Sequence, residues 1–207
     1  MALTRERIAR AGLRLLNEVG LDGLTLRLIG DELGVKAPAL YWHVKNKQEL
    51  LDDVATQMYL THIRQLPPPG EGGDWAERLA ERARALRRMM LSYRDGAKVF
   101  SGTFFTDNVL PRDTTIEEIV AAGYTPEQAG RVLSTAYNFV TGFTIEQQAV
   151  EPMPGERDKR YDDAIEQHRE RGGALSDAVA AAFIGDFDKQ FEEGLKIVLL
   201  GAKAWLS

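Results

Sequence analysis

Few side chains in this 207-residue chain are equipped for covalent or metal chemistry. It has no cysteine, and its three histidines, His43, His62 and His168, stand on distant predicted elements. The spacings that mark zinc-protease helices, nucleophile elbows, phosphate loops and dinucleotide folds are all missing from it. We therefore expect no enzyme, no metal site and no cofactor. One short run has a different chemistry. ALYWHVKNK, residues 39–47, sets Tyr41, Trp42 and His43 beside Lys45 and Lys47. Aromatic and cationic side chains so closely interleaved suit a nucleic acid.

The elements that must hold this run follow from capping and spacing. Thr25 is placed to cap a helix over 26–33, with Leu28, Ile29 and Leu33 as its packing face. Gly34 supplies the positive φ of a tight turn, and Val35 packs inward. Pro38 opens a short helix over 38–43, where its missing N–H does no harm. Leu40 and Val44 anchor that helix, which leaves Ala37, Pro38, Ala39, Tyr41 and His43 outward. This is helix-turn-helix spacing. Such a unit sets the start of its second helix in the major groove, where small residues let methyl groups reach a thymine methyl. Asn46 caps a further helix, with Glu49 in a capping-box arrangement and Lys47 placed to meet a phosphate. Ahead of the unit, a helix over 4–19 is capped by Thr4 and stopped by Gly20. It turns Ile8, Ala11, Leu15, Leu16 and Val19 inward and Arg7, Arg10 and Arg14 outward. We assign residues 1–48 to a DNA-binding head. Its DNA surface comprises Thr25, Arg27, Lys36, Ala37, Pro38, Ala39, Tyr41, His43, Lys45 and Lys47.

A net charge of −5 argues against general coating of nucleic acid, but the charge is unevenly placed. Residues 1–50 hold eight Lys/Arg against six Asp/Glu, and the remainder hold eighteen against twenty-five. A mildly basic head on an acidic body fits local DNA contact.

The body, residues 49–207, reads as helices throughout, and the predicted fold is all-α. Helices are expected over 47–66, 74–93, 114–123 and 125–149, with a short helix and loop in 95–105. An exposed helix is expected within 152–173 and a long one over 176–206. PPPGEGG at 67–73 is the one strong break. No apolar run reaches membrane-spanning length and no leader pattern opens the chain, so the expected location is cytoplasmic. Two long apolar helices near the C-terminus exceed what a body of this size buries alone. A C2 homodimer joined by a C-terminal four-helix bundle is expected. Its two heads then meet a palindromic double-stranded DNA operator with half-sites about 34–36 Å apart.

Three stretches carry a family resemblance: LTLRLIGDELGVKAPALYWHVKNKQELL (24–51), YRDGAKVFSGT (93–103) and GFTIEQQAVE (142–151). In order and spacing they resemble the tetracycline-repressor (TetR) family over nearly the whole chain. The resemblance implies a transcriptional repressor whose body binds a small-molecule effector that favours one separation of the heads over another. Under it, candidate effector contacts are His62, Arg82, Leu86 and Met89, then Phe100, Thr103, Phe104 and Phe105. Leu133, Ser134, Tyr137, Asn138, Thr141 and Glu146 complete the set. The chain also departs from the family's tetracycline-binding members. They carry a magnesium-ligating histidine where this chain has Phe100, an arginine where it has Phe104, and a drug-holding asparagine where it has Arg82. Glu146 keeps the carboxylate of the shared EQQ run, while the family's other ligand histidine aligns with Ile63 rather than with His62. We expect an apolar, aromatic effector bound without metal. The alternatives are a tetracycline-like polyketide as effector, or a DNA-binding regulator that activates.

Overall fold

The computed structural model describes residues 2–63, 74–103, 115–170, 172–173 and 185–206, and every regular element among them is helical. We number these helices α1 (Arg5–Gly23), α2 (Leu26–Leu33), α3 (Ala37–Leu40), α4 (Lys47–Ile63) and α5 (Trp75–Leu91). They continue as α6 (Gly96–Ser101), α7 (Thr115–Ala121), α8 (Pro126–Val150), α9 (Lys159–Glu170) and α10 (Phe187–Leu206).

Two compact units divide the chain. One comprises Met1–Gly72 with Arg84–Thr114, the other Gly73–Ala83 with Thr115–Ser207. In the first unit α1 lies along α4, and Ile8, Leu16, Leu24, Ile29, Leu40, Val44, Leu50, Val54 and Met58 form a fully buried core. Each such side chain contributes about 1.5–3 kcal/mol when withdrawn from water. The capping predicted for α1 is present, with the Thr4 hydroxyl accepting from Arg7 N at 3.2 Å. Gly20 does break the helix, at φ 69° and ψ 178°, but one more turn follows to Gly23. Val19 lies at that break and is exposed rather than packed.

In the second unit Trp75, Leu79, Ile119, Ala129, Val132 and Ala136 form the core between α5, α7 and α8. Phe139, Phe143, Phe187 and Phe191 stack between α8 and α10, with ring centroids 5.4–6.4 Å apart. Thr125 and Gln128 make a capping box at the start of α8, each side chain accepting from the other's backbone N–H. The helix expected over 176–206 is interrupted at residues 185–186. α10 begins at Phe187, because the Asp186 carboxylate accepts from Asp188 N and Lys189 N at 3.0 and 3.1 Å and so starts the helix there. The predicted helical stretch at 176–184, the end of the predicted fourth helix and the 67–73 break lie outside the described residues. No described helix is long and apolar enough to cross a membrane.

Candidate nucleic-acid interface and effector residues

Residues 25–49 place the interface through local bonds. The Thr25 hydroxyl accepts from Leu28 N at 3.2 Å and starts α2, while Gly34 ends it in the left-handed region at φ 67°. Val35 N then donates to Gly30 O at 2.9 Å, folding the turn back onto α2. That closeness requires glycine at 30, because a Cβ there would lie 2.9 Å from Val35 O. The recognition helix is shorter than the spacing implies. α3 ends at Leu40, and His43 N and Val44 N both donate to Leu40 O at 2.9 Å, so Tyr41–His43 form a turn. Leu40 and Val44 are fully buried on either side of this turn and pull it taut. Tyr41 and Trp42, between them, point out.

Tyr41 is half exposed and Trp42 is 90% exposed. The DNA-surface set drawn from the sequence omits Trp42. Its signal was present, since it sits midway between two apolar anchors in a segment too short for a third inward position. Ala37, Ala39 and His43 are half-buried, and Pro38, Lys36, Arg27 and Lys45 are exposed. Among the described residues no ion pair engages Arg27, Lys36 or Lys45, which leaves their charges for an external anion. The outer arginines of α1 differ. Arg10 pairs with Glu6 at 2.6 Å and Arg14 with Glu32 at 3.1 Å. Asn46 caps α4 by accepting from Glu49 N at 2.9 Å, and the Glu49 carboxylate reaches one residue further back, to Lys45 N at 2.8 Å. The Lys47 ammonium donates to Leu21 O at 2.9 Å.

The candidate effector residues are divided between the two units. In the first, Phe100 is buried and stacks on Tyr59, with centroids 6.4 Å apart and planes inclined by 26°. The Thr103 hydroxyl donates to Phe100 O at 2.9 Å. The His62 ring bonds Met58 O through Nδ1 at 3.0 Å and meets Tyr93 edge-on. Burial raises the Tyr93 phenol above its usual pKa, so it stays neutral. Met89 is buried and Leu86 half-buried, while Phe104 and Phe105 lie outside the described residues.

In the second unit Arg82 sits 3.6 Å from Glu118, whose other oxygen holds Arg78 at 2.8 Å. Leu133 packs against the Trp75 cluster. Thr141 is buried and donates its hydroxyl to Tyr137 O at 2.8 Å. Ser134, Tyr137, Asn138 and Glu146 lie on the exposed side of α8.

A capped helix, a left-handed glycine turn and a short outward-facing second helix with free cations at its edge define a DNA-binding helix-turn-helix regulator. Comparison with known proteins narrows this. Residues 8–54 match the family described as "Bacterial regulatory proteins, tetR family", and residues 66–206 match "Tetracyclin repressor-like, C-terminal domain". The chain belongs to the tetracycline-repressor family. It is similar to the tetracycline repressor protein class C of Escherichia coli, at 36% identity over 96% of this chain and 90% of the relative. Among solved structures, it resembles a possible TetR family regulator from Streptomyces coelicolor A3(2), at 37% identity and a TM-score of 0.79. That match covers 97% of this chain and 98% of the other. It also resembles ActR of Streptomyces coelicolor in complex with actinorhodin, at 29% identity and a TM-score of 0.79 over the full length of both chains.

Proposed function

We propose that this protein is a dimeric repressor that holds a palindromic operator through residues 1–48 and releases it when an apolar, aromatic effector binds residues 49–207 without metal. On the DNA side, the cations Arg27, Lys36 and Lys45 meet phosphates or base edges. Tyr41, Trp42 and His43 contact the backbone, and Ala37, Pro38 and Ala39 approach the bases. The dimer reading is supported by Ile197, Leu200 and Trp205 of α10, which are 57–71% exposed, and by Tyr137 on α8. A second copy is the occupant this family's architecture supplies for such a surface.

The observation that carries the effector reading is the buried Phe100 stacked on Tyr59. A phenyl ring has no lone pair to give a metal ion, so the donor set does not fit a metal-carried drug at this position. The Glu118-engaged Arg82 is likewise a poor stand-in for an amide that holds a drug by neutral hydrogen bonds. Flat rings and few donors favour a flat, apolar ligand. A second reading, a tetracycline-like effector, is favoured by the 36% identity to a tetracycline repressor.

Both readings are tested with the full-length protein on a duplex enriched from a random-sequence pool. Release by actinorhodin, or by other flat aromatic compounds, with EDTA present supports the metal-free reading. Release only by tetracycline with Mg²⁺ establishes the second. Replacing Tyr41 and His43 with alanine is expected to cut specific binding while sedimentation still reports a dimer. A reporter placed behind the enriched duplex distinguishes repression from activation.

A further inference from the structure

The backbone of Leu21 is held from two sides by residues far away in sequence. Its N–H donates to the Asp95 carboxylate at 3.0 Å, and its carbonyl accepts from the Lys47 ammonium at 2.9 Å. Gly20, immediately before it, is in the left-handed region, and a Cβ there would lie 3.1 Å from the same Asp95 oxygen. The break in α1 and the carboxylate therefore fit one another closely. Asp95 is itself the one non-glycine residue with positive φ among the described residues, at φ 54°. That conformation costs about 1 kcal/mol for a residue with a Cβ and persists only where the surroundings enforce it. Here they do. Lys98 Nζ bonds its other oxygen at 3.1 Å, and Arg94 N and Nε bond the side chain and carbonyl of Asn17 at 2.9 and 3.1 Å.

Lys47 is in an odd place for a lysine. It is the first residue of α4, where the helix dipole disfavours a cation. The carbonyl it holds belongs to the last turn of α1, where carbonyl groups lack intrahelical partners and a cation is favoured. The carbonyl at the end of α1 thus holds a cation that the start of α4 itself disfavours.

We propose that Lys47 is a positioning residue, not a phosphate contact. Through the Leu21 backbone it fastens the start of α4, and with it the Tyr41–Lys45 turn, to the α1 break that Asp95 grips from the start of α6. The start of α6, five residues ahead of the buried Phe100, and the DNA-facing turn then share one anchor. This rests on the DNA-binding reading above, and its test separates the two.

The test uses the full chain and a duplex enriched by the wild-type protein from a random pool, with an unselected random duplex beside it. Affinity is measured across a salt series for wild type, Lys47→Met, Asp95→Asn and the double variant. Lys47 is exposed, so its replacement leaves the core intact, and Lys47→Gln repeats the measurement with a neutral polar chain. The expected loss for Lys47→Met is on the order of tenfold on the enriched duplex, as two hydrogen bonds per dimer imply. The salt slope and binding to the random duplex should not change. Asp95→Asn should act in the same direction, and the double variant should lose less than the product of the two, because both grips serve one residue. A phosphate contact gives a different pattern. The log–log salt slope would flatten by about 0.9 per lysine, and both duplexes would lose affinity equally. That outcome, full additivity, or no loss at all would each overturn the proposal. Failure of the wild type to enrich any duplex would instead overturn the DNA-binding reading itself.

Discussion

The DNA-facing head and the effector-binding body are built from the same element, the capped helix, yet they carry their functional residues differently. In the head every candidate contact falls within 23 residues, from Thr25 to Lys47. Two buried anchors, Leu40 and Val44, and the left-handed turn at Gly34 set their direction. In the body the described candidate contacts come from α4, α5, α6, the residue pair after it, and α8, and several are engaged within the chain: His62 with Met58 and Tyr93, Arg82 with Glu118, Phe100 with Tyr59. A surface for a fixed polymer needs only local geometry. A site for a small molecule draws on residues that also serve as core.

The largest effect expected tests whether the body works alone. Ile197→Glu combined with Leu200→Glu puts charge on the exposed face of α10 without touching its buried residues Phe191 and Leu195. We expect monomers by sedimentation, and a loss in operator affinity of about 10²–10⁴-fold, because two linked half-site contacts become one. A variant that stays dimeric at full affinity would remove this face from the interface.

Phe100 is the next lever. Phe100→Ala should lower stability by about 3–5 kcal/mol, the range for emptying a buried phenyl site, as read from chemical denaturation. A much smaller loss would mean that the ring faces an open site rather than core, and would draw the body closer to a preformed pocket. Phe100→His should not by itself produce a Mg²⁺-tetracycline response, since Arg82 also differs from the drug-binding pattern. A strong response would show that a single donor separates this body from its tetracycline-binding relatives.

Within the head, two glycines separate sterics from backbone freedom. Gly30→Ala presses a methyl to 2.9 Å from a backbone oxygen, and the expected cost is about 1–3 kcal/mol. Gly34→Ala meets nothing within 4 Å, so only its positive φ is penalised, at about 1 kcal/mol. Equal melting temperatures for the two variants would mean that the turn relaxes, and that the head is less tightly determined than its bonds imply.

The same contrast explains what the sequence revealed. The caps at Thr4, Thr25, Asn46 and Thr125 and the turn at Gly34 were legible because each is a bond between neighbours a few residues apart. The all-helical fold and the family followed from such signals and from three motifs. Apolar periodicity misled where a local bond outweighed it. Asp186 starts α10 at Phe187, although the apolar pattern begins earlier, and Leu40 accepts two N–H groups that end α3 early. The body's long-range ion pairs were not legible. Glu118 and Arg78 are forty residues apart, and nothing in either segment names the other.

The smallest effect expected lies at another such long-range pair, in the second unit. Asp74 accepts from Ala76 N at the start of α5 and receives the Lys203 ammonium from α10, 129 residues away. The hydrogen bond from Lys203 is the main cause of an Asp74 pKa below its usual 3.8, and the Ala76 amide adds to it. A carboxylate whose pKa is lower folded than unfolded stabilises the fold at pH above the unfolded value. That contribution fades as pH falls through 3.8 toward the depressed folded value. Both side chains are more than a third exposed, so solvent screening holds the pair to under about 1 kcal/mol. Asp74→Asn should therefore lower the melting temperature slightly at pH 7, and the gap from wild type should close below about pH 4 and narrow in high salt. Chemical denaturation across pH 3–7 measures it. A gap that persisted undiminished at pH 3 would show that it does not come from the Asp74 charge, and would leave the Lys203 pair with no share in it.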